Sequence, residues 1–269
     1  MLIDFHTHCF PDALAPRAIE KLSVIGGIPA LTDGTAAGLL KKMDECGVDR
    51  AVICNIATND RQTANVNRFA VESRAVSPRL CPLGSVNPTS SPDFIAGQLA
   101  ALHAAGIPGI KVHPDYMGVE LDDPRFDGIF EQCEALGMFV VTHAGWDFVS
   151  PDRIYAGPER TSNVLKRHPK LMLVAAHFGG NRQWDAVERL LIGKNVWLDV
   201  SLTSMFALDP AQFRRMLLAH DPERLLFGSD LPWADPAETL RKLESLALPA
   251  SLMDRITYQN AEALIGKGY

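Results

Sequence analysis

The chain has 269 residues, 47% of them hydrophobic; that supports a large buried core, and the length suits one α/β barrel as well as two smaller domains. Lys plus Arg is 26 and Asp plus Glu is 32, giving a net charge of −6, and no basic run or aromatic–basic interleaving points to nucleic acid. No apolar run nears the roughly 18 residues of a membrane span, and the opening residues lack the basic start of a signal peptide.

Taken in chain order, short apolar runs alternate with segments of helical period. Strands are predicted at 2–6, 50–55, 80–86, 109–113, 138–143, 172–177, 196–201 and 224–229. Their length, Val/Ile/Phe content and flanking Gly and Pro favour strand over buried helix. The region 9–34, with Pro11, Pro16, Gly26, Gly27 and Pro29, reads as a long loop with a short helix over the site. Residues 35–46 place apolar side chains at 36, 39, 40 and 43, one face of a helix, and Gly47 supplies the stop. Helices are also predicted at 93–105, 124–136, 183–192 and 209–219, with one or two more in the tail at 249–265. Eight strands alternating with helices imply a parallel sheet with right-handed crossovers, and eight is the number that closes a barrel. An open doubly wound sheet is the alternative, but no Gly-rich phosphate fingerprint follows the first strand.

Five cysteines (Cys9, Cys46, Cys54, Cys81, Cys133) form an odd set without CxxC, which reads as buried or partly buried thiols in a reducing cytosol; Cys9 alone lies beside candidate site residues.

Of eight histidines, His103, His168 and His220 fall in helical or loop text. The other five fall at or just after strand ends: His6 and His8 on strand 1, His113 on strand 4, His143 on strand 5 and His177 on strand 6. Asp230 follows strand 8. In a β/α barrel all C-terminal strand ends open on one mouth, where barrel chemistry sits. His6 and His8, at i and i+2, share a strand face, as do Lys111 and His113. Singly, each has an ordinary reading as a hydrogen-bonded histidine or a turn residue. Together they would need five separate local explanations, which one metal cup replaces.

The pieces "DFHTH", "GIKVHP", "VVTHAG", "AAHFGG", "FGSDLPW" and "NAEAL", in this order from Asp4 to about Leu264, resemble the amidohydrolase superfamily of metal-dependent TIM-barrel enzymes. The chain is most similar to the amidohydrolase-2 branch, which holds aminocarboxymuconate-semialdehyde and resorcylate decarboxylases beside assorted hydrolases. The resemblance implies a distorted TIM (β/α)8 barrel over residues 1–269, as a single domain with an extra C-terminal helix. It implies His6, His8, His143 and Asp230 as metal ligands, with Asp230 also handling protons. His177 is implied as catalytic base or electrophile at one metal, or as a ligand where there are two. Lys111 sits where binuclear members carry a carboxylated lysine; the other reading is a lysine that holds a substrate carboxylate. One or two divalent ions follow, zinc first and manganese as an alternative. Some members of the branch are dimers, so a homodimer is expected on that ground.

A bound cation lowers the pKa of its water to ~7, which gives hydrolysis of a small amide, lactone or ester as the main expectation. Non-oxidative decarboxylation of a carboxylated aromatic or unsaturated acid uses the same parts and is the alternative; a metal-free lactonase-like or non-catalytic member is a third. For the substrate, His113, Trp146, Arg182 and Trp233 are the candidates, an arginine fork suiting a carboxylate and the tryptophans suiting pocket walls. Arg17, Arg61, Arg153, Tyr116 and Phe178 are weaker ones.

Overall fold

A computed structural model describes residues 1–206 and 208–266. Eight short strands come in the expected order: β1 (Ile3–Thr7), β2 (Arg50–Ile53), β3 (Leu80–Pro82), β4 (Gly109–Val112), β5 (Phe139–Thr142), β6 (Leu173–Ala175), β7 (Trp197–Asp199) and β8 (Leu225–Leu226). All neighbouring pairs are parallel. Most end sooner than predicted, because the chain leaves the ladder to carry His113, His143, His177 and Asp230 onto the mouth.

Helices fill the crossovers: α1 (Ala15–Gly26), α2 (Ala36–Cys46), α3 (Asp60–Arg74), α4 (Pro92–Ala104), α5 (Pro114–Met117), α6 (Asp127–Leu136), α7 (Pro158–Arg167), α8 (Trp184–Leu190), α9 (Pro210–Ala219) and α10 (Pro236–Ser245). The tail is α11 (Ala250–Asp254), a π-helical turn (Arg255–Gln259) and α12 (Asn260–Ile265). Their starts have local causes. The Thr35 hydroxyl accepts from the Gly38 N–H at 2.9 Å, and Asn59 accepts from the Gln62 N–H at 3.0 Å. Proline occupies the first turn of α4, α7, α9 and α10, where its missing N–H costs nothing.

The strands form a three-stranded sheet (β1–β2–β3) and a five-stranded one (β4 to β8 in order). Two seams join them. At one, the Gly84 N–H donates to Gly109 (3.1 Å) and the Lys111 N–H to Gly84 (2.8 Å). At the other, the Phe5 N–H donates to Phe227 (2.8 Å), the Asp230 N–H to His6 (2.8 Å) and the His8 N–H to Leu231 (2.7 Å). This is a distorted TIM barrel. One core cluster draws on the strands alone, with Phe5, Val52, Phe139, Val141, Val174 and Leu226 joined by Ala261 and Ile265 of the tail. It is the barrel interior, and the tail packs into it. Two larger clusters weld the strands to the helices outside.

Gly145, just past β5, has φ +96°, and a Cβ there would lie 2.0 Å from the Asn181 nitrogen. Only glycine lets the segment after β5 lie against the segment after β6, an approach sealed by the Asn181 N–H donating to Ala144 at 2.9 Å. The two glycines of "HFGG" serve packing. A Cβ at Gly179 or Gly180 would meet side chains of Leu198, Val187 and Pro158, so they admit close packing behind the mouth. Among the described residues no helix is long and apolar enough to cross a membrane.

Candidate metal centre

Each of the five strand-end histidines and Asp230 faces one mouth. His6 is fully buried on β1. Its Nδ1 lies 2.9 Å from Asp199 Oδ2, at the end of β7. That carboxylate accepts a hydrogen bond from the Nδ1–H, which leaves the Nε2 lone pair facing the mouth, the arrangement by which buried carboxylates orient metal-binding imidazoles. His6 Nε2 is 3.3 Å from Asp230 Oδ1, and His8 Nε2 is 3.0 Å from the same oxygen. Lys111, also buried, brings its Nζ to 3.1 Å from His6 Nε2. His177 stacks on His6 with ring centroids 5.0 Å apart. Donor atoms of His6, His177 and Asp230 all lie within 4.8 Å of one another, close enough to share one cation.

The structure treats the predicted ligand set unevenly. His6, His8, Asp230, His177 and Lys111 converge. His143 reaches that group only through its Nδ1, 3.1 Å from His177 Nε2, and otherwise belongs with His113 and Asp147 in a second group.

A proton chain runs beneath the cup. The Ser201 hydroxyl donates to Asp199 Oδ1, and His177 Nδ1 lies 2.7 Å from that hydroxyl. With its own proton committed, Ser201 accepts from His177, so His177 Nε2 carries a lone pair and accepts from His143 Nδ1. Burial, then the positive neighbours Lys111 and the other histidines, holds His6, His143, His113 and His177 below their usual range, with His143 down to about 3. All four rings are therefore neutral at pH 7, the form that binds metal. Burial pushes the Asp230 carboxyl up, and its hydrogen bond with His8 pulls the other way. Asp230 has φ +82°, strain of the kind held at working sites by the surrounding structure.

Asp4 anchors the seam under the cup. It accepts from the Ser229 N–H at 2.9 Å, the Ser229 hydroxyl and the His6 N–H at 3.1 Å. Burial nevertheless lifts its carboxyl from 3.8 to about 7. A raised folded pKa means that this group's contribution is complete below about pH 4 and is lost as pH rises towards 7. The stability of Asp4→Asn relative to the parent, from urea unfolding with chelator present, should therefore improve from pH 4 to pH 8, by up to about 4 kcal/mol. A difference flat with pH would contradict the assignment.

The cup floors a cavity of about 760 Å³. Trp146, Trp233, Tyr116 and Phe148 are among its walls, His113 lies at its floor, and α1 lends Leu22 and Ile25 above, beside Arg17. The predicted cover over the site is thus α1. Arg182 is a correction: it is not among the cavity-lining residues. Its guanidinium lies 3.8 Å over the Trp146 ring and 4.5 Å over Phe206, so it stiffens the wall instead of gripping substrate. Phe178 is in the core against Phe213. Cys9 is fully buried, its thiol pushed up to about 12 by burial, so it is an inert thiol.

Sequence reasoning missed Asp199, Ser201, Asp115 and Asp147. For Asp199 a signal existed: an acid at the end of a barrel strand, in "WLDVS", faces the same mouth as the histidines.

A cup of neutral imidazoles and a carboxylate, on strand ends of a parallel eight-stranded barrel, defines the metal-dependent β/α-barrel enzymes. Comparison with known proteins narrows this class. An amidohydrolase family model matches residues 3–267, and the chain belongs to that family. It is 28% identical over 170 residues to the 2-amino-3-carboxymuconate-6-semialdehyde decarboxylase of Dictyostelium discoideum, a match covering 55% of this chain and 46% of that protein, so the aligned part spans under half that relative's length. It superposes on an uncharacterized TIM-barrel protein of Bordetella bronchiseptica with a TM-score of 0.81 at 19% identity, over 98% of each chain. It also superposes on a 5-carboxyvanillate decarboxylase of Novosphingobium aromaticivorans, solved with manganese and 4-hydroxy-3-methoxy-5-nitrobenzoic acid. There the TM-score is 0.71 at 15% identity, over 98% of this chain and 96% of that one. The two structural likenesses establish a shared fold.

Proposed function

We propose that this chain is a divalent-metal-dependent decarboxylase of a carboxylated phenol or unsaturated acid, built as one barrel domain. The observation that carries the reading is the meeting of the His6–His8–Asp230 cup and the buried Lys111 at the floor of a cavity with aromatic walls. A planar acid fits such walls with its carboxylate down. Further support comes from the decarboxylase activity named for the Dictyostelium relative and for the manganese-bound structural neighbour. Hydrolysis, the main expectation from the sequence, gives way to the alternative on these grounds.

His6, His8 and Asp230, with His177 beside them, would hold the cation; imidazole and carboxylate donors suit zinc and manganese alike. When bound, it would supply a positive anchor for adjacent substrate oxygens. The chain's own groups do the rest. The Lys111 ammonium attracts the substrate carboxylate into the cup. Trp146 and Trp233 flank the ring and keep water out. Asp230, at the cup, delivers a proton to the carbon that bears the carboxylate. The carbon–carbon bond then breaks, CO2 leaves, and the bonding electron pair restores the ring; water reprotonates Asp230. Asp199 keeps His6 in the right tautomer throughout.

The test is a panel of 2-hydroxybenzoates and unsaturated diacids in D2O, with Mn2+ or Zn2+ supplied, beside a panel of lactones and amides. The expected result is CO2 release with deuterium at the vacated carbon. Turnover of a lactone or amide with no CO2 from any acid would overturn the reading.

A further inference from the structure

Helix α1 carries an apolar face that the fold does not bury. Ala18, Leu22 and Ile25, with Leu14 just before the helix, recur at the spacing of one helical face. Yet of the twelve residues of α1 only Ala15 is fully covered. A surface helix ordinarily lays such a face on the core; here all four residues line the cavity above the cup instead. The segment is held off the barrel by its own ties. The Phe10 N–H donates to Gly34 at 2.8 Å and the Leu31 N–H to Pro232 at 2.9 Å. Ile19 packs on Gly34 so closely that a Cβ there would lie 2.6 Å from Ile19 Cγ1. At the far end of α1, a Cβ on Gly26 would lie 4.0 Å from the Phe148 ring, which meets Trp146 edge-on with centroids 4.6 Å apart.

Across the cavity, α3 and the loop before it present a matching face. Ile56, Val66 and Phe69 line the space and are half-buried, whereas Gln62 and Asn65 line it and are exposed. The division repeats on α1, where Ala18, Leu22 and Ile25 are half-buried while Arg17 and Lys21 are exposed. Hydrocarbon within and polar groups at the rim is the form of a ligand groove. Arg17 and Lys21 make no ion pair among the described residues, so both stay available to draw an anion towards the mouth. Volume points the same way. A cavity of about 760 Å³ matches a drug-sized ligand. A single carboxylated ring on the cup, between Trp146 and Trp233, fills only its lower part. Water in the remainder would lie against hydrocarbon walls, which is costly.

We propose that the space between α1 and α3 receives an apolar arm of the substrate, an alkyl chain or second ring carried opposite the carboxylate, with Ala18, Leu22, Val66 and Phe69 setting its length and width. The inference deepens the proposed function and rests on it for the orientation of the acid, carboxylate to the cup. One continuous cavity joins the two parts, since His6, His8 and Asp230 line it together with α1 and α3. That continuity favours an arm of the ligand over a protein partner, which would need the same face turned outward.

The deciding experiment measures the affinity of the Mn2+-loaded protein for 4-alkylbenzoates from methyl to hexyl by calorimetry. These acids lack the hydroxyl that makes a ring accept a proton, so binding is read without turnover. CO2 release from the matching 4-alkyl-2-hydroxybenzoates is assayed beside it. The expected result is a Kd that falls about three- to fourfold with each added methylene until the space is full. Ala18→Trp occupies the space under α1 and should flatten that slope; Leu22→Asn, which wets the same wall, should lower it and serves if the larger side chain disturbs α1. A Kd that is flat or rises from methyl upward would overturn the apolar seat, whatever the CO2 assay gives. A slope unchanged in both variants would place the arm elsewhere and overturn it too. A slope that the variants flatten, with no CO2 from any hydroxy acid, would uphold the seat and remove decarboxylation.

Discussion

Asp230→Asn should lose turnover by about 10³-fold or more while the protein folds as before. Asp230 Oδ1 is the oxygen that His8 and His6 share, at 3.0 and 3.3 Å, and the carboxyl is the proton donor of the proposed reaction. An amide keeps the shape and a hydrogen bond to His8 but supplies neither charge nor proton. Asparagine is also among the few side chains that tolerate the +82° φ of this position. Because burial makes the charged carboxylate costly here, the metal-free variant should melt at or above the parent's midpoint. The two readouts are kcat and a chelated thermal melt, with metal content beside them. A variant that keeps both turnover and metal would show that the cup is not the reacting centre.

Lys111→Met is the second substitution with a large expected effect. The ammonium is the buried positive group nearest the cup, and it now occupies the His6 lone pair that a cation would take. Methionine keeps the length and removes the charge. If Lys111 receives the substrate carboxylate, KM rises by about 100-fold, an ion pair in a dry site being worth about 3 kcal/mol. Metal at the cup stays or tightens, since His6 Nε2 is released. A metal count that falls with Lys111→Met, together with a collapse of kcat, would instead mean a carbamate-bridged pair, and the hydrolytic reading would return.

Much of this was legible in the sequence where side chains repeat a rule of the barrel. His6, His8, His113, His143, His177 and Asp230 stand at strand ends, and strand ends share a mouth. What was illegible depended on partners. Asp199 stands at a strand end too, but its role shows only through its partners His6, His177 and Ser201, two of them far away in sequence. Asp115 and Asp147 lie in short segments after Pro114 and Trp146, where an acid ordinarily caps or solvates. Arg182 looked like a substrate fork because its stacking on Trp146 has no trace in local sequence. Helices α3, α7 and α10 escaped notice because their faces are diluted by Arg, Asn and Glu, although Asn59, Pro158 and Pro236 marked their starts.

The seam between β1 and β8 has a consequence for how the chain is made. Asp4 and His6 are synthesised long before the groups that satisfy them, Asp199, Ser229 and Asp230, which follow 193 to 225 residues later. Until those emerge, the nascent first strand carries an unpaired edge, an acid and two imidazoles that no early neighbour can satisfy. Ring closure thus waits until β8 has been made, and the metal cup comes into being only then.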